Sequence, residues 1–354
     1  MSTIINIILF IFILGILVFV HELGHFLTAK KSGVFIHEFS IGMGPLIKSF
    51  TGKKDGIKYS IRALPLGGYV QMAGEIYEDD DTNKIPKDKF MCNKPWYQRL
   101  IILCAGVFNN FLLAIVMLFV ISLIWGAPTN KPVISNVEEN SAVAEAGITP
   151  GDTITKVNGT KVKTWDKAQL MLLLKDKDNT YEIEVKHKDG TKDTYDVEPK
   201  TEKDKDGNKV KKFGIIIKQD VKKGFGASVK YAFTKFASTL EQMWLTIVNL
   251  FTGKISINNL SGPVGIYTVV GETRKAGIEN VLFLLAYLSI NLGIMNILPI
   301  PALDGGHVLF LIIEMITKKK ANEKIEGILT TIFFGLLMLL MLYITIHDVI
   351  RIIF

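Results

Sequence analysis

Four long apolar runs interrupt an otherwise polar chain, at residues 4–20, 100–125, 281–303 and 328–346. Each holds too few charges for a surface helix and is near the ~20 residues that cross the hydrocarbon core of a bilayer. The pattern predicts four membrane spans. Residues 128–220 differ in kind: charge is high, and β-branched residues alternate in short runs such as 133–137 and 181–185. Gly151 to Gly159 reads as a turn, a strand and an Asn158-Gly159 hairpin turn, and residues 165–174 as a short helix. That stretch is about 90 residues, enough for a small core of its own. Residues 30–97 form a loop in which 39–45 and 64–70 are apolar yet glycine-rich. Non-helical backbone enters a membrane only where protein or a water cavity satisfies its polar groups, so these read as strands or hairpins beside a site. In residues 225–251, Lys230, Lys235 and Glu241 interrupt Phe, Tyr, Trp and Leu positions, which suits a helix lying on the membrane surface better than a fifth span. Glu78-Asp79-Asp80-Asp81 and the Lys/Asp-rich stretch 200–212 read as solvated loops. The chain thus divides into a membrane half (1–127), a soluble domain (128–220), an interfacial amphipathic linker (221–279) and a second membrane half (280–354).

Composition agrees with a membrane class, at 49% hydrophobic residues. The net charge of +7 does not point to nucleic acid, because lysines are spread over loops and flank the spans. Lys30-Lys31 and Lys318-Lys319-Lys320 mark cytoplasmic ends by the positive-inside rule, which places both termini and residues 127–280 outside. The first run has no Lys or Arg ahead of it and no small-x-small cleavage site, so it reads as a span and not a signal peptide. Cys92 and Cys104 fit neither a disulfide framework nor a paired-Cys metal site.

The chemistry lies where ionisable residues interrupt apolar runs. His21-Glu22-Leu23-Gly24-His25 closes the first run. On a helix, imidazoles four residues apart can reach one metal ion, and the Glu between them is the usual general base of a zinc hydrolase. In the third run, Pro299 and Pro301 should break the helix beside Asn296 and Asp304. An unpaired carboxylate in lipid is costly, and a divalent metal on His21 and His25 is the obvious partner for Asp304. Catalytic zinc takes three protein ligands, for which His37, Glu38, Asp304 and His307 are the remaining candidates, with Asp304 preferred. Asn296 could bond across helices or stabilise an oxyanion.

These residues resemble the site-2 protease family of intramembrane zinc metalloproteases, in particular its bacterial RseP/RasP-like type. The family's N-x-x-P-x-P-x-L-D-G motif is present from Asn296 to Gly305, and the likeness extends to residues 39–44, 64–72, Ser261-Gly262-Pro263-Val264-Gly265 and Asp304-Gly305-Gly306-His307. The resemblance implies that His21, His25 and Asp304 bind one Zn2+, that Glu22 activates water and that Asn296 assists with substrate. It implies that Leu66, Gly67, Gly68 and Tyr69 belong to a hairpin that receives unwound substrate as an added strand. Residues 128–220 resemble a PDZ domain, with Phe213, Gly214 and Ile215 in its carboxylate-binding loop and the 165–174 helix as the groove's other wall.

Two features depart from the family. There is room for one PDZ domain, not two in tandem. In the second span, Gly106-Val107-Phe108-Asn109-Asn110 lacks the family's Pro, a change expected to touch helix packing and not the metal. The implied fold is a polytopic α-helical membrane protein, with four transmembrane helices, a membrane-associated β-hairpin region and one α/β PDZ-like soluble domain. The implied function is regulated intramembrane proteolysis of single-span proteins, such as anti-sigma factors or remnant signal peptides. Its setting is the bacterial cytoplasmic membrane, with the PDZ domain and both termini extracytoplasmic, and its partners are substrates and bilayer but no nucleic acid. A metal-dependent transporter is one alternative, weakened by the lack of an inverted repeat. A non-catalytic PDZ scaffold is another, but leaves His21, Glu22, His25 and Asp304 unexplained.

Overall fold

A computed structural model of the chain describes residues 2–74, 85–174, 179–203, 209–217, 220–255, 257, 260–319 and 323–353. The acidic run at Glu78-Asp79-Asp80-Asp81 lies outside them. Two compact units emerge, one built from the chain up to Met117 together with the chain from Leu260, the other from Leu118 to Asn259. Among the described residues, four helices are long and apolar enough to cross a membrane: Thr3–Lys31, Trp96–Trp125, Ile278–Ile297 and Lys324–Arg351.

The first unit opens with α1 (Ser2–Lys31), whose last turn carries Lys30 and Lys31, the sign that suits a helix C-terminus. Two long bent strands follow, β1 (Ile36–Thr51) and β2 (Lys58–Met72). Ile36, Phe39 and Ile41 face Met72, Val70 and Gly68 on one edge, while Phe39 and Ile41 face Tyr59 and Ile61 on the other. Leu46 to Thr51 then face Arg62 to Lys58. Two strands thereby build a sheet of four stretches, and residues 68–72 form an outer edge. Ala73 N–H bonds Phe35 O on the β1 side, so by the two-residue pleat the backbone groups of Gly68, Val70 and Met72 point away from β1. Phe39, Val70 and Met72 pack with Phe26, Ile102, Leu103 and Leu311 in a buried cluster, which ties the sheet to α1 and to α2 (Trp96–Trp125).

The second unit is small and mostly β. It contains β3 (Ala127–Pro128), β4 (Asn136–Val137), α3 (Ala142–Glu145), β5 (Thr153–Val157), β6 (Thr160–Lys161) and α4 (Trp165–Leu173), followed by β7 (Tyr181–Lys186) and β8 (Lys192–Val197). An antiparallel sheet runs in the order β6-β5-β7-β8. Asn158 and Gly159 both have positive φ, 48° and 71°, the requirement of the two-residue turn that joins β5 to β6. Along β7, Tyr181, Ile183 and Val185 are buried while Glu182 and Lys186 are exposed, and the inner set packs with Ile134, Val143, Ile154 and Leu172. The stretch 200–212 is not simply a loop: β9 (Lys200–Lys203) and β10 (Lys209–Lys212) pair antiparallel. A side-chain pattern of alternating Lys and acid conceals such a hairpin, because backbone bonds hold it. β11 (Ile215–Ile216) pairs with β4, and β12 (Val221–Lys222) with β3.

The second unit ends in α5 (Phe225–Phe251), which is inverted in polarity. Its inner face offers Lys235 and Ser238 to Asp166 on α4, at 2.8 and 2.6 Å, with Asn130 Nδ2 adding a third donor at 2.6 Å. Its outer face exposes Phe225, Phe233, Trp244 and Phe251.

The first unit resumes with α6 (Pro263–Ala276), α7 (Ile278–Ile297), α8 (Asp304–Thr317) and α9 (Glu323–Ile353). Residues 221–279 therefore hold two helices, α5 in one unit and α6 in the other. Pro263 sits at the start of α6, and Asp348 of α9 accepts the Gly262 and Gly265 N–H groups, each at 2.8 Å, as a cap borrowed from another helix. The run 281–303 is not one span. It stops at Ile297, because residues before proline favour extended backbone and Leu298 and Ile300 both precede one. A separate helix, α8, then begins at Asp304.

Candidate active site

The elements above bring three side chains of different origin to one point. His21 and His25 lie one turn apart on α1, and Asp304 is the first residue of α8. Asp304 Oδ2 is 3.2 Å from His21 Nε2 and 3.3 Å from His25 Nε2, and the two Nε2 atoms are 3.3 Å apart. His21 and His25 are each 7% exposed, which shields the donors from bulk solvent. Among the described residues this is the one group of three or more His, Cys, Asp or Glu donors close enough to share a metal ion.

A shared divalent cation would satisfy all three donors of this triangle at once. Asp304 Oδ2 is buried without a hydrogen-bond partner, and such an atom carries a large desolvation cost. Tetrahedral zinc with ligand bonds of ~2.0–2.2 Å places neighbouring donors about 3.3–3.5 Å apart. The observed triangle has that size, and two imidazoles with one carboxylate are the donor types of a catalytic zinc site. The residues present fit the ion.

Asp304 reaches this point through the break after α7. A Cβ on Gly305 would lie 2.3 Å from the carbonyl oxygens of Ile297 and Leu298, and one on Gly306 2.3 Å from that of Ile300. Only glycine lets the start of α8 fold back so closely on the proline segment. The N-terminus of α8 also favours a negative charge at its first position. At the other end of the helix, Glu314 holds Arg99 of α2 through both carboxylate oxygens, at 3.0 and 2.9 Å.

A cleft of about 730 Å³ surrounds the triangle, and His21, Glu22, His25, Gly67, Gly68, Tyr69, Val70, Asn296, Asp304 and His307 all line it. The Glu22 side chain lies against the outer edge of β2, since a Cβ added at Gly68 would stand 3.5 Å from its Cγ. Asn296 stands in the last turn of α7. Leu66 belongs to β2 beside these residues.

The other candidate ligands go elsewhere. His307 Nδ1 is 3.1 Å from Glu326 on α9. His37 lies against the Phe35 ring. Glu38 is buried among Lys58, Ser60 and Arg62. Burial pushes its carboxyl up, but hydrogen bonds from Ser60, Arg62, Lys58 and Tyr69 outweigh this and hold it at about 2. Phe213, Gly214 and Ile215 belong to the second unit, where the Phe213 and Gly214 carbonyls accept from Val143 and Glu138 and Ile215 pairs with Val137.

The segment from Gly106 to Asn110 faces the histidine pair as well as packing helices. A Cβ on Gly106 would be 2.3 Å from His25 Nε2, and the Asn110 amide is 3.1 Å from His21 Nδ1. Asn110 and Ile102, whose carbonyl meets His25 Nδ1 at 2.8 Å, were not singled out from the sequence. The available signal was a buried polar residue one turn beyond a glycine in an apolar helix.

A profile of peptidase family M50 matches residues 9–340. This chain belongs to that family. M50 peptidases are membrane-embedded, in keeping with the four apolar helices. The chain is 33% identical to the regulator of sigma-W protease RasP of Bacillus subtilis, with 98% of each sequence covered. It is 34% identical to the zinc metalloprotease RasP of Bacillus licheniformis over 98% of this chain and 99% of that one. Identity to the zinc metalloprotease RasP of Geobacillus kaustophilus is 31%, over 98% of each. The match to the Bacillus subtilis protein runs over 422 aligned positions, more than the 354 residues present here, so that relative carries additional segments. Membership of a peptidase family sets aside the transporter and scaffold readings.

Proposed function

We propose that this M50 peptidase cuts single-span membrane proteins within the bilayer, with His21, His25 and Asp304 as the ligands of one zinc ion and Glu22 as the proton carrier. The enzyme is a zinc metalloprotease, like its RasP relatives. The observation that carries the residue assignments is the triangle of converging donors beside Glu22 in one cleft. Bound zinc supplies a Lewis acid for the scissile carbonyl and lowers the pKa of a ligated water. Glu22 takes a proton from the attacking water and delivers it to the leaving amine. The closeness of its side chain to Gly68 supports a place for the carboxylate beside the outer edge of β2. Asn296, which lines the same cleft, donates to the substrate carbonyl oxygen.

A helical peptide bond is shielded by its own hydrogen bonds, so the substrate must unwind. Gly67, Gly68 and Tyr69, with Leu66 preceding them, offer the edge on which the unwound segment adds as a strand. Anti-sigma-factor-like proteins and remnant signal peptides are the substrate classes we infer, the first supported by the sigma-W role in the name of the Bacillus subtilis relative.

The second unit serves as one PDZ-like domain on the extracytoplasmic side of the bacterial membrane, with Phe213, Gly214 and Ile215 forming one wall of its groove and α4 the other. The exposed aromatic row of α5 meets the membrane surface. The edge-on contact of Phe225 with Phe119, 5.5 Å between ring centres, supports this by keeping the start of α5 beside the end of α2. Lysines at the ends of α1 and α8 put those ends in the cytoplasm.

The test is cleavage of a single-span substrate by purified protein in detergent, beside E22Q and a zinc chelator. Product that requires both Glu22 and metal supports the reading. Cleavage that survives E22Q refutes the role of Glu22, and cleavage that survives complete zinc removal refutes the metal assignment.

A further inference from the structure

One stripe of α2 faces the histidine pair. Ile102, Gly106 and Asn110 are spaced four residues apart, so they lie on one side of the helix. The Ile102 carbonyl takes His25 Nδ1–H at 2.8 Å. Gly106 leaves no room for any side chain beneath the two rings, since an added Cβ would lie 2.3 Å from His25 Nε2 and 2.6 Å from His21 Cε1. Asn110, fully buried, meets His21 Nδ1 at 3.1 Å. Its own backbone carbonyl is held by Ser289 Oγ of α7 at 2.7 Å, which fixes the residue in place.

The orientation of the Asn110 amide carries the argument. Nδ2 lies against His21 Nδ1, while Oδ1 is buried without a partner. A ring that binds metal through Nε2 carries its proton on Nδ1, and that N–H needs an acceptor. An amide donor facing it is a donor against a donor. A half-turn of the amide, which leaves the shape of the side chain unchanged, sets the orphaned Oδ1 on His21 Nδ1–H. The rotation gives the ring N–H its acceptor and moves Nδ2 to the position that Oδ1 held.

We infer that Asn110 is a positioning residue for the metal centre: its Oδ1 accepts from His21 Nδ1–H and so fixes the tautomer and tilt that aim Nε2 at the site, as the Ile102 carbonyl does for His25. The inference rests on the assignment of His21, His25 and Asp304 as the zinc ligands. It gives α2, which contributes no ligand, control over both ligand rings.

The experiment uses the full chain purified in detergent, as wild type, N110L, N110D and H21A. Zinc per chain is measured by elemental analysis, and affinity by competition with a chromogenic chelator. The cobalt-loaded forms are compared by their visible absorption. N110L should bind zinc about 10–100-fold more weakly, the usual effect of losing such a partner, and its cobalt spectrum should shift. N110D, whose carboxylate still accepts, should restore both affinity and spectrum, which separates acceptance from simple space filling. Wild-type affinity in N110L, or equal loss in N110L and N110D, would overturn the proposal. H21A separates the two levels: if it keeps wild-type zinc affinity, the ligand assignment itself fails and the role of Asn110 falls with it.

Discussion

The contact between α4 and α5 makes a quantitative prediction. Asp166 is 8% exposed and receives Lys235, Ser238 and Asn130. Removing one partner of a buried ion pair costs roughly 3–5 kcal/mol, because the other charge is left stranded. The Lys235 side chain keeps 17% exposure and can regain some water, so D166A should lie at the low end, near 3 kcal/mol. At ~1.4 kcal/mol per factor of ten, α5 should open from α4 about a hundredfold more often. Hydrogen exchange on the full chain reads this directly, as lost protection of the α5 amides around residues 228–239.

A D166L/K235M double variant should recover much of the loss, since it removes both members of the ion pair together and Asn130 keeps its 3.0 Å bond to Ser238. The acid limb has a defined sign. Burial pushes the Asp166 carboxyl up, but Lys235, Ser238 and Asn130 more than reverse this and hold it below its ordinary 3.8. The stabilisation is therefore complete above that value and is lost as pH falls through the folded-state value. Unchanged α5 exchange in D166A, or a double variant worse than the sum of its parts, would refute the account.

Three other outcomes are expected. Gly305→Ala should displace Asp304, since its Cβ has no space against the Ile297 and Leu298 carbonyls; zinc content and cleavage rate should fall together, the rate by about a hundredfold or more. His187 bonds Asp152 at 2.7 Å and Asp193 at 3.1 Å, and the Asp152 contact is the main cause that holds its pKa above 6.5. Its contribution should be full below pH 6.5 and fade as pH rises through the folded value, seen as a pH-dependent exchange rate at the β7–β8 end that flattens in H187Q. Asp348→Ala should release the first turn of α6 at a cost of ~1–2 kcal/mol, measured by exchange at residues 262–266, with D348N retaining part of the bonding.

The convergence of His21, His25 and Asp304 was legible because charge in an apolar run is conspicuous. His21, Glu22, His25 and Asp304 have no cheap reason to be there, and Pro299 and Pro301 announce a break. The helix after the break was not legible. Residues 304–317 are as apolar as the span before them, and composition does not tell a crossing from a return. The α2 stripe was missed for the opposite reason: one glycine and one asparagine in a span look like packing until the rings they serve are seen. The stretches at 39–45 and 64–70 could be read as strands or hairpins, but their extension to 36–51 and 58–72, and the sharing of one central stretch between two edges, depend on pairing that no local pattern encodes.

The outer edge of β2 carries a liability as well as a use. A row of unpaired backbone groups accepts any extended chain, including the same edge of another molecule. In the bilayer, neighbours are mostly helical and offer no free backbone. Once extracted and warmed, partly unfolded copies do. Storage of the purified enzyme should therefore be limited by sheet-mediated self-association before it is limited by loss of helices, and a peptide seated in the cleft should lengthen its shelf life.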